Sequence, residues 1–142
     1  MSIIANAKGV LCFVVGVVGG AIASLFGGWN AALSLLVILM IADYATGLLV
    51  AGVFKKSSKT QNGALESKAG FKGLCRKCMV LIFVLIAYQI DLVLGTTYLR
   101  DAVCIGFCLN EIISLTENAG LMGVPLPSAL EKAIEMLREK AE

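Results

Sequence analysis

The chain has 142 residues, 58% hydrophobic and 15% charged, with a formal net charge of +2 and a mean hydropathy of +0.89. Soluble domains are nearer ~45–50% apolar and ~25% charged, so the composition excludes an ordinary water-soluble enzyme and points to a small integral membrane protein. Histidine is absent, which removes the commonest general base and metal ligand.

The first apolar segment is expected over residues 10–26. Gly16 and Gly20 form a G-x-x-x-G, and Gly19, Ala23 and Gly27 make a second small stripe. Such stripes let helix backbones approach closely in lipid. Lys8, the apolar run and Ala21-Ile22-Ala23 also have the pattern of a cleavable signal peptide; an uncleaved first span is the expectation. Gly27-Gly28-Trp29-Asn30 is a turn, with Trp29 suited to a membrane interface.

The second segment, 31–54, is long enough to span. Asp43 sits near its middle, sharing a face with Gly47 and Ala51, with Thr46 beside them. Small neighbours allow another helix to come close and hydrogen-bond the carboxyl group. Residues 55–73 form a polar loop. With Arg76 and Lys77 it holds seven of the twelve Lys and Arg residues. Retention of a short basic loop on the cytoplasmic side explains these residues better than a nucleic-acid patch, so no nucleic-acid partner is expected.

The third segment, 75–94, carries Asp91 near its far end, and a short turn with Arg100 and Asp101 leads to the fourth, 102–116. Gly120, Gly123, Pro125 and Pro127 then break the helix. Ser128-x-x-Glu131 reads as a capping box opening a last helix over 128–141. Leu130, Ala133, Ile134, Leu137 and Ala141 share one face, and charged residues take the rest. That helix is too charged to span, so it is expected on the membrane surface or against a neighbouring copy.

The predicted fold is therefore an all-α membrane protein: about four transmembrane helices plus a C-terminal amphipathic helix, in one integral membrane domain, 1–142. With both termini in the cytoplasm, only Arg100 of the twelve basic residues lies outside, the asymmetry that the positive-inside rule requires. Cys75-x-x-Cys78 with Cys104 and Cys108 has thiolates enough for a zinc site. This topology puts the two pairs at opposite ends of antiparallel helices, so no metal or other cofactor is expected.

One stretch stands out. In residues 110–118, at 100° per residue, Asn110, Glu111, Ser114, Glu117 and Asn118 fall within about 60° of Ser114. A polar stripe at membrane depth must face protein or water. The second and third segments each have eleven large apolar residues (Leu, Ile and Val, with Phe83 in the third). These supply roughly 3–7 kcal/mol of insertion energy, enough to carry one aspartate at ~2.5–3.5. The fourth has seven Leu, Ile, Val and Phe residues, worth roughly 2–4 kcal/mol, which Glu111 alone cancels. It is the weakest inserter and is expected to depend on partners or water.

Three readings of Asp43, Asp91 and Glu111 compete: hydrogen bonding between helices of one subunit, a proton or ion pathway, and an oligomer whose polar faces meet and then line an aqueous opening. For residues 110–118 the third is favoured, because five polar positions exceed the needs of one four-helix unit and a chain this short leaves little room for a transporter pathway.

Several motifs also carry a resemblance. Asp43-Tyr-Ala-Thr-Gly-Leu-Leu in the second segment is one. Ser67-Lys-Ala-Gly-Phe-Lys-Gly-Leu-Cys-Arg-Lys before the third is another, followed by Asp91. The 110–127 stretch, N-E-I-I-S-L-T-E-N-A-G-L-M-G-V-P-L-P, is the most specific. In order and spacing they resemble the toxin-secretion/phage-lysis holin family, from about residue 31 to the C-terminal helix. The resemblance implies a phage or prophage protein of the bacterial cytoplasmic membrane that accumulates, assembles into a homo-oligomer at a programmed time and permeabilises the bilayer. An endolysin or a secreted toxin then crosses. The rival readings are a small ion channel or transporter, and a membrane anchor whose charged tail recruits a soluble partner. An enzyme has little support: no nucleophile–base pair or phosphate-binding glycine loop occurs, and Cys75-x-x-Cys78 as a redox pair is the best such idea.

Overall fold

The computed structural model describes residues 2–142, which form five helices: α1 (Ser2–Leu25), α2 (Ala31–Gly52), α3 (Ser67–Leu94), α4 (Leu99–Leu121) and α5 (Ser128–Ala141). Three of them, α1, α2 and α3, are long and apolar enough to cross a membrane; α4 is not among them. Several expected boundaries move: α1 starts at Ser2, eight residues before the expected segment, α2 ends at Gly52 and α4 starts at Leu99. Helix α3 starts at Ser67, inside the expected loop, and its 28 residues extend to about 42 Å at 1.5 Å per residue. That exceeds a hydrocarbon core of about 30 Å. Helix α4 runs past Thr116 to Leu121, because Asn118 is held by α2 and the left-handed backbone comes only at Gly123, φ 79°.

The core lies where α2, α3 and α4 meet. Leu33, Leu36, Leu39, Met40, Val84, Cys104 and Cys108 are its buried members. Helix α4 is the keystone: it lies along α2 and against α3, while α2 and α3 touch each other much less. Its buried residues Cys104, Cys108, Glu111 and Asn118 follow steps of four, three and seven, the spacing of one helix face. The Phe83 and Phe107 rings stack across α3 and α4, centroids 6.2 Å apart.

Helix α1 contributes no buried residue and packs only against α3. A side chain placed at Gly16, Gly19 or Gly20 would meet nothing within 4 Å. The expected small-residue stripe thus has no close partner within the chain at these three glycines, whereas Ala23 is half-buried and Gly27, at its end, lies against Tyr88. By contrast, Asn118 approaches Gly47, and Ala51 is buried.

Among the described residues, the helix is fastened at its C-terminal end only. Gln89 donates to the Leu25 carbonyl at 3.1 Å, and Arg100 Nη1 donates to the carbonyls of Phe26 and Gly28 at 2.6 and 3.1 Å. The Arg100 guanidinium also lies 5.6 Å from the Tyr88 ring centre, a cation–π contact. Asn30 caps α2 by accepting from the Leu33 N–H at 2.9 Å and ties the turn to Asp101 at 2.8 Å.

The capping box expected at Ser128 does not form. Helix α5 is entered from Pro127, with no side-chain cap, and the Pro127 carbonyl accepts from the Glu131 N–H at 3.0 Å. Ser128 sits one residue inside the helix, where its hydroxyl cannot reach the first free N–H groups. Most of α5 is exposed, with Ile134 and Leu137 half-buried.

Gly27 and Gly28 both adopt left-handed backbone, φ 81° and 79°; a Cβ on Gly27 would strike the Tyr88 ring, whereas one on Gly28 meets open space. Gly28→Ala is expected to cost only the backbone penalty, about 1–2 kcal/mol. Gly27→Ala adds displacement of Tyr88 and should melt at a lower temperature in detergent. Equal melting temperatures for the two variants would mean that Tyr88 is not packed on the turn.

Candidate functional site

The polar residues within the helices converge at one place, and a cation joins them. Lys77, on α3, reaches between α2 and α4. Its Nζ donates to Asp43 Oδ2 at 2.8 Å and to Glu111 Oε2 at 2.6 Å. Asn118 completes the network from α4: its Nδ2 donates to Thr46 Oγ1 at 2.9 Å and to the Asp43 carbonyl and carboxylate at 3.2 Å each. Thr46 in turn donates to the Ala42 carbonyl at 2.8 Å. Asp43, Glu111 and Asn118 are all buried.

These contacts make a three-helix cross-link. Each charge alone costs ~2.5–3.5 kcal/mol at the centre of a membrane helix. Pairing offsets that cost only while both partners stay in place, and removing one leaves a buried charge uncompensated. Two carboxylates share one ammonium. The triad borders a cavity of about 260 Å³ between the helices and the 53–66 connection, also lined by Asn110, Ser114 and Lys59.

Asp91 serves a different purpose at the opposite end. It accepts from the N–H groups of Leu99 and Arg100, at 3.1 and 2.9 Å, and from the Thr96 hydroxyl. A carboxylate on the first free N–H groups of α4 satisfies them and opposes the helix dipole. Asp91 thereby fixes the α3–α4 turn, where Gly95 closes α3 in left-handed backbone, φ 68°.

The polar face of α4 is split. Glu111 and Asn118 point inward and Ser114 is half-buried beside the cavity, whereas Asn110 and Glu117 are exposed. The exposed line of α4 runs through Ala102, Gly106, Asn110, Ile113, Glu117 and Gly120. Only Ile113 on it is a large apolar side chain. The exposed faces of α2 and α3 differ, with Ile38, Ile41, Leu49, Ile82, Phe83 and Ile86 outward.

Sequence reasoning groups Lys77 with the basic residues of the loop and misses its role. The available signal was periodicity: Lys77, Val84 and Asp91 recur every seven residues, on the face of α3 that carries the buried Val84, Ala87 and Asp91. Among the cysteines, Cys104 and Cys108 are buried, whereas Cys12, Cys75 and Cys78 are exposed; all are free thiols. Among the described residues no group of His, Cys, Asp or Glu side chains is arranged to hold a metal ion.

The bacteriophage holin family matches this chain over residues 20–139. An uncharacterized protein of Listeria innocua is 41% identical over 124 residues, covering 87% of this chain and 83% of its own length. One from Halalkalibacterium halodurans is 37% identical over 128 residues, covering 86% and 89%. A "Probable holin" of Bacillus phage phi105 is 28% identical over 106 residues, covering 74% and 73%. No solved structure matches the chain.

Lys77→Met leaves Asp43 and Glu111 facing each other without a cation. It is expected to destabilise the helical unit by about 3–5 kcal/mol, read as a lower midpoint of denaturant unfolding in detergent. Combining it with Asp43→Asn and Glu111→Gln removes the stranded charges and should recover most of the loss. A single variant as stable as the parent would mean that Lys77 does not bridge the helices.

Proposed function

Because the chain belongs to the bacteriophage holin family, we propose that it inserts in the bacterial cytoplasmic membrane, self-associates there and renders that membrane leaky, so that an endolysin or a secreted toxin crosses. Three helices apolar enough to span and the family match make it a membrane protein. Family membership points to a non-enzymatic role.

In this reading α4 is a fourth span, carried by its neighbours and not by its own apolarity. Both termini and the basic 55–73 loop face the cytoplasm, as the distribution of Lys and Arg favours. The chain acts as one integral membrane unit, with α5 on the cytoplasmic surface.

The observation that carries the proposal is the exposed line of α4. In lipid, small residues such as Ala102, Gly106 and Gly120 leave a groove in the helix surface, and Asn110 and Glu117 are costly. A second copy relieves both: backbones approach along the small positions, and the polar side chains find partners or water. The inward half of the polar face, Glu111 and Asn118, is bonded within the chain. It holds α4 in place, and the outward half makes the contact between copies and, at high density, borders the opening. Glycines 16, 19 and 20 of α1, without neighbours in the chain, supply further lateral contacts.

The test is Asn110→Leu combined with Glu117→Leu, expressed at the level of the parent. Permeabilisation, followed by membrane potential and by release of a co-expressed endolysin, is expected to be delayed or lost, with the protein still inserted. Unchanged timing and extent would exclude this face from assembly. Collapse of the potential without passage of protein or large dyes would favour a small ion channel.

A further inference from the structure

The cavity beside the charge triad does not end at the polar residues. A second hollow, of about 360 Å³, lies between α2 and α3, lined by Met40, Ile41, Ala45, Leu74 and Leu81 among others. The two share Tyr44, Leu48 and Lys77 as common wall. It exists because α2 and α3 both pack on α4 and hardly meet each other. Its accessible surface is almost wholly apolar, whereas the first cavity adds serines, a threonine and charged side chains to a lining that is still largely apolar. Side by side they make one slot, with its polar groups gathered at the loop end and apolar surface along the helices.

The polar end has unused capacity. Lys59 and Arg76 line it, are exposed, and form no ion pair among the described residues. Ser57 and Ser58 stand beside them. Thr60 Oγ1, on the same wall, is buried and has no hydrogen-bond partner, a state that buried hydroxyls rarely keep. Of the carboxylates on this lining, Asp43 and Glu111 are buried and paired with Lys77; Glu66 is exposed at the rim. The accessible charge at the mouth is thus two cations against one carboxylate.

We propose that this slot binds one anionic phospholipid, with an acyl chain in the α2–α3 groove and the phosphate against Lys59 and Arg76. The chemistry selects a molecule with a long apolar tail and a negatively charged, hydroxyl-bonding head. A zwitterionic lipid fits the groove and gains less at the mouth, because its own cation opposes Lys59 and Arg76. A soluble phosphate fits the mouth and gains nothing from the groove. The inference rests on membrane insertion and not on lesion formation. Lipid binding by purified protein and permeabilisation of cells therefore fail independently.

The experiment is native mass spectrometry of the purified full chain in detergent, titrated with phosphatidylglycerol or phosphatidylcholine of the same acyl chains. One phosphatidylglycerol per chain is expected, bound about thirtyfold tighter than phosphatidylcholine, on the ordinary contribution of two basic residues near a lipid surface. Lys59→Gln and Arg76→Gln, both at exposed positions, should each weaken phosphatidylglycerol about fivefold and leave phosphatidylcholine unchanged. Ala45→Trp, which fills the groove from an exposed position of α2, should weaken both lipids, with an unaltered melting temperature showing that the fold is intact. Equal affinity for the two lipids overturns the proposal. So does undiminished binding to the Ala45→Trp variant, and so does full competition by the deacylated head group, glycerophosphoglycerol, which would reduce the slot to a phosphate site.

Discussion

The ammonium of Lys77, held between the carboxylates of Asp43 and Glu111, is the constraint on which the helical unit depends. Apolar packing has little sense of direction in a bilayer, since lipid tails are as apolar as leucine side chains. Leu36, Val84 and Cys104 fill space between helices, yet they would tolerate a helix rotated by a few tens of degrees. A charged hydrogen bond would not. It fixes the rotation and depth of all three helices together, and Asn118 repeats the instruction about two turns farther along α4.

That constraint also explains how so polar a helix is kept. The core-facing side of α4 combines two cysteines with a glutamate and an asparagine. The cysteines let the backbones come close. The polar pair secures the helix to α2 and α3, where its own apolarity would not hold it. With the inward side occupied, the outward line of Asn110 and Glu117 is left as the one face of α4 that neither the core nor lipid satisfies. The contacts that hold α4 within the chain and its exposed polar line thus lie on opposite sides of one helix.

Much of this was legible in the residues. Four of the helices follow from apolar runs broken by Gly, Pro and the basic loop, and α5 from its amphipathic spacing. The weakness of α4 as an inserter follows from comparing its seven large apolar residues with eleven in each of its neighbours. The division of its polar face was not legible, because angular position shows which residues share a face and not which half meets α2. Lys77 was hidden for a related reason: next to Arg76 and four residues after Gly73, it looks like the end of a basic loop, whereas α3 had already completed nearly three turns by that point. The small-residue stripe of α1 was visible, but a stripe does not name its partner, and within one copy Gly16, Gly19 and Gly20 have none. Ser128 shows the opposite case, a good local pattern displaced by one residue because Pro127 already occupied the boundary.

The spacing of the triad has a consequence for synthesis. Lys77 follows Asp43 by 34 residues, and Glu111 follows Lys77 by 34. At 5–20 residues per second, each interval lasts about 2–7 seconds. During the first, α2 holds an aspartate with no counter-charge. With the arrival of α3, Lys77 supplies a counter-charge to Asp43, and that pair can stand through the second interval. The last helix to emerge brings the second carboxylate of the triad, Glu111. The triad is therefore completed only by α4, the same helix that carries the exposed Asn110 and Glu117.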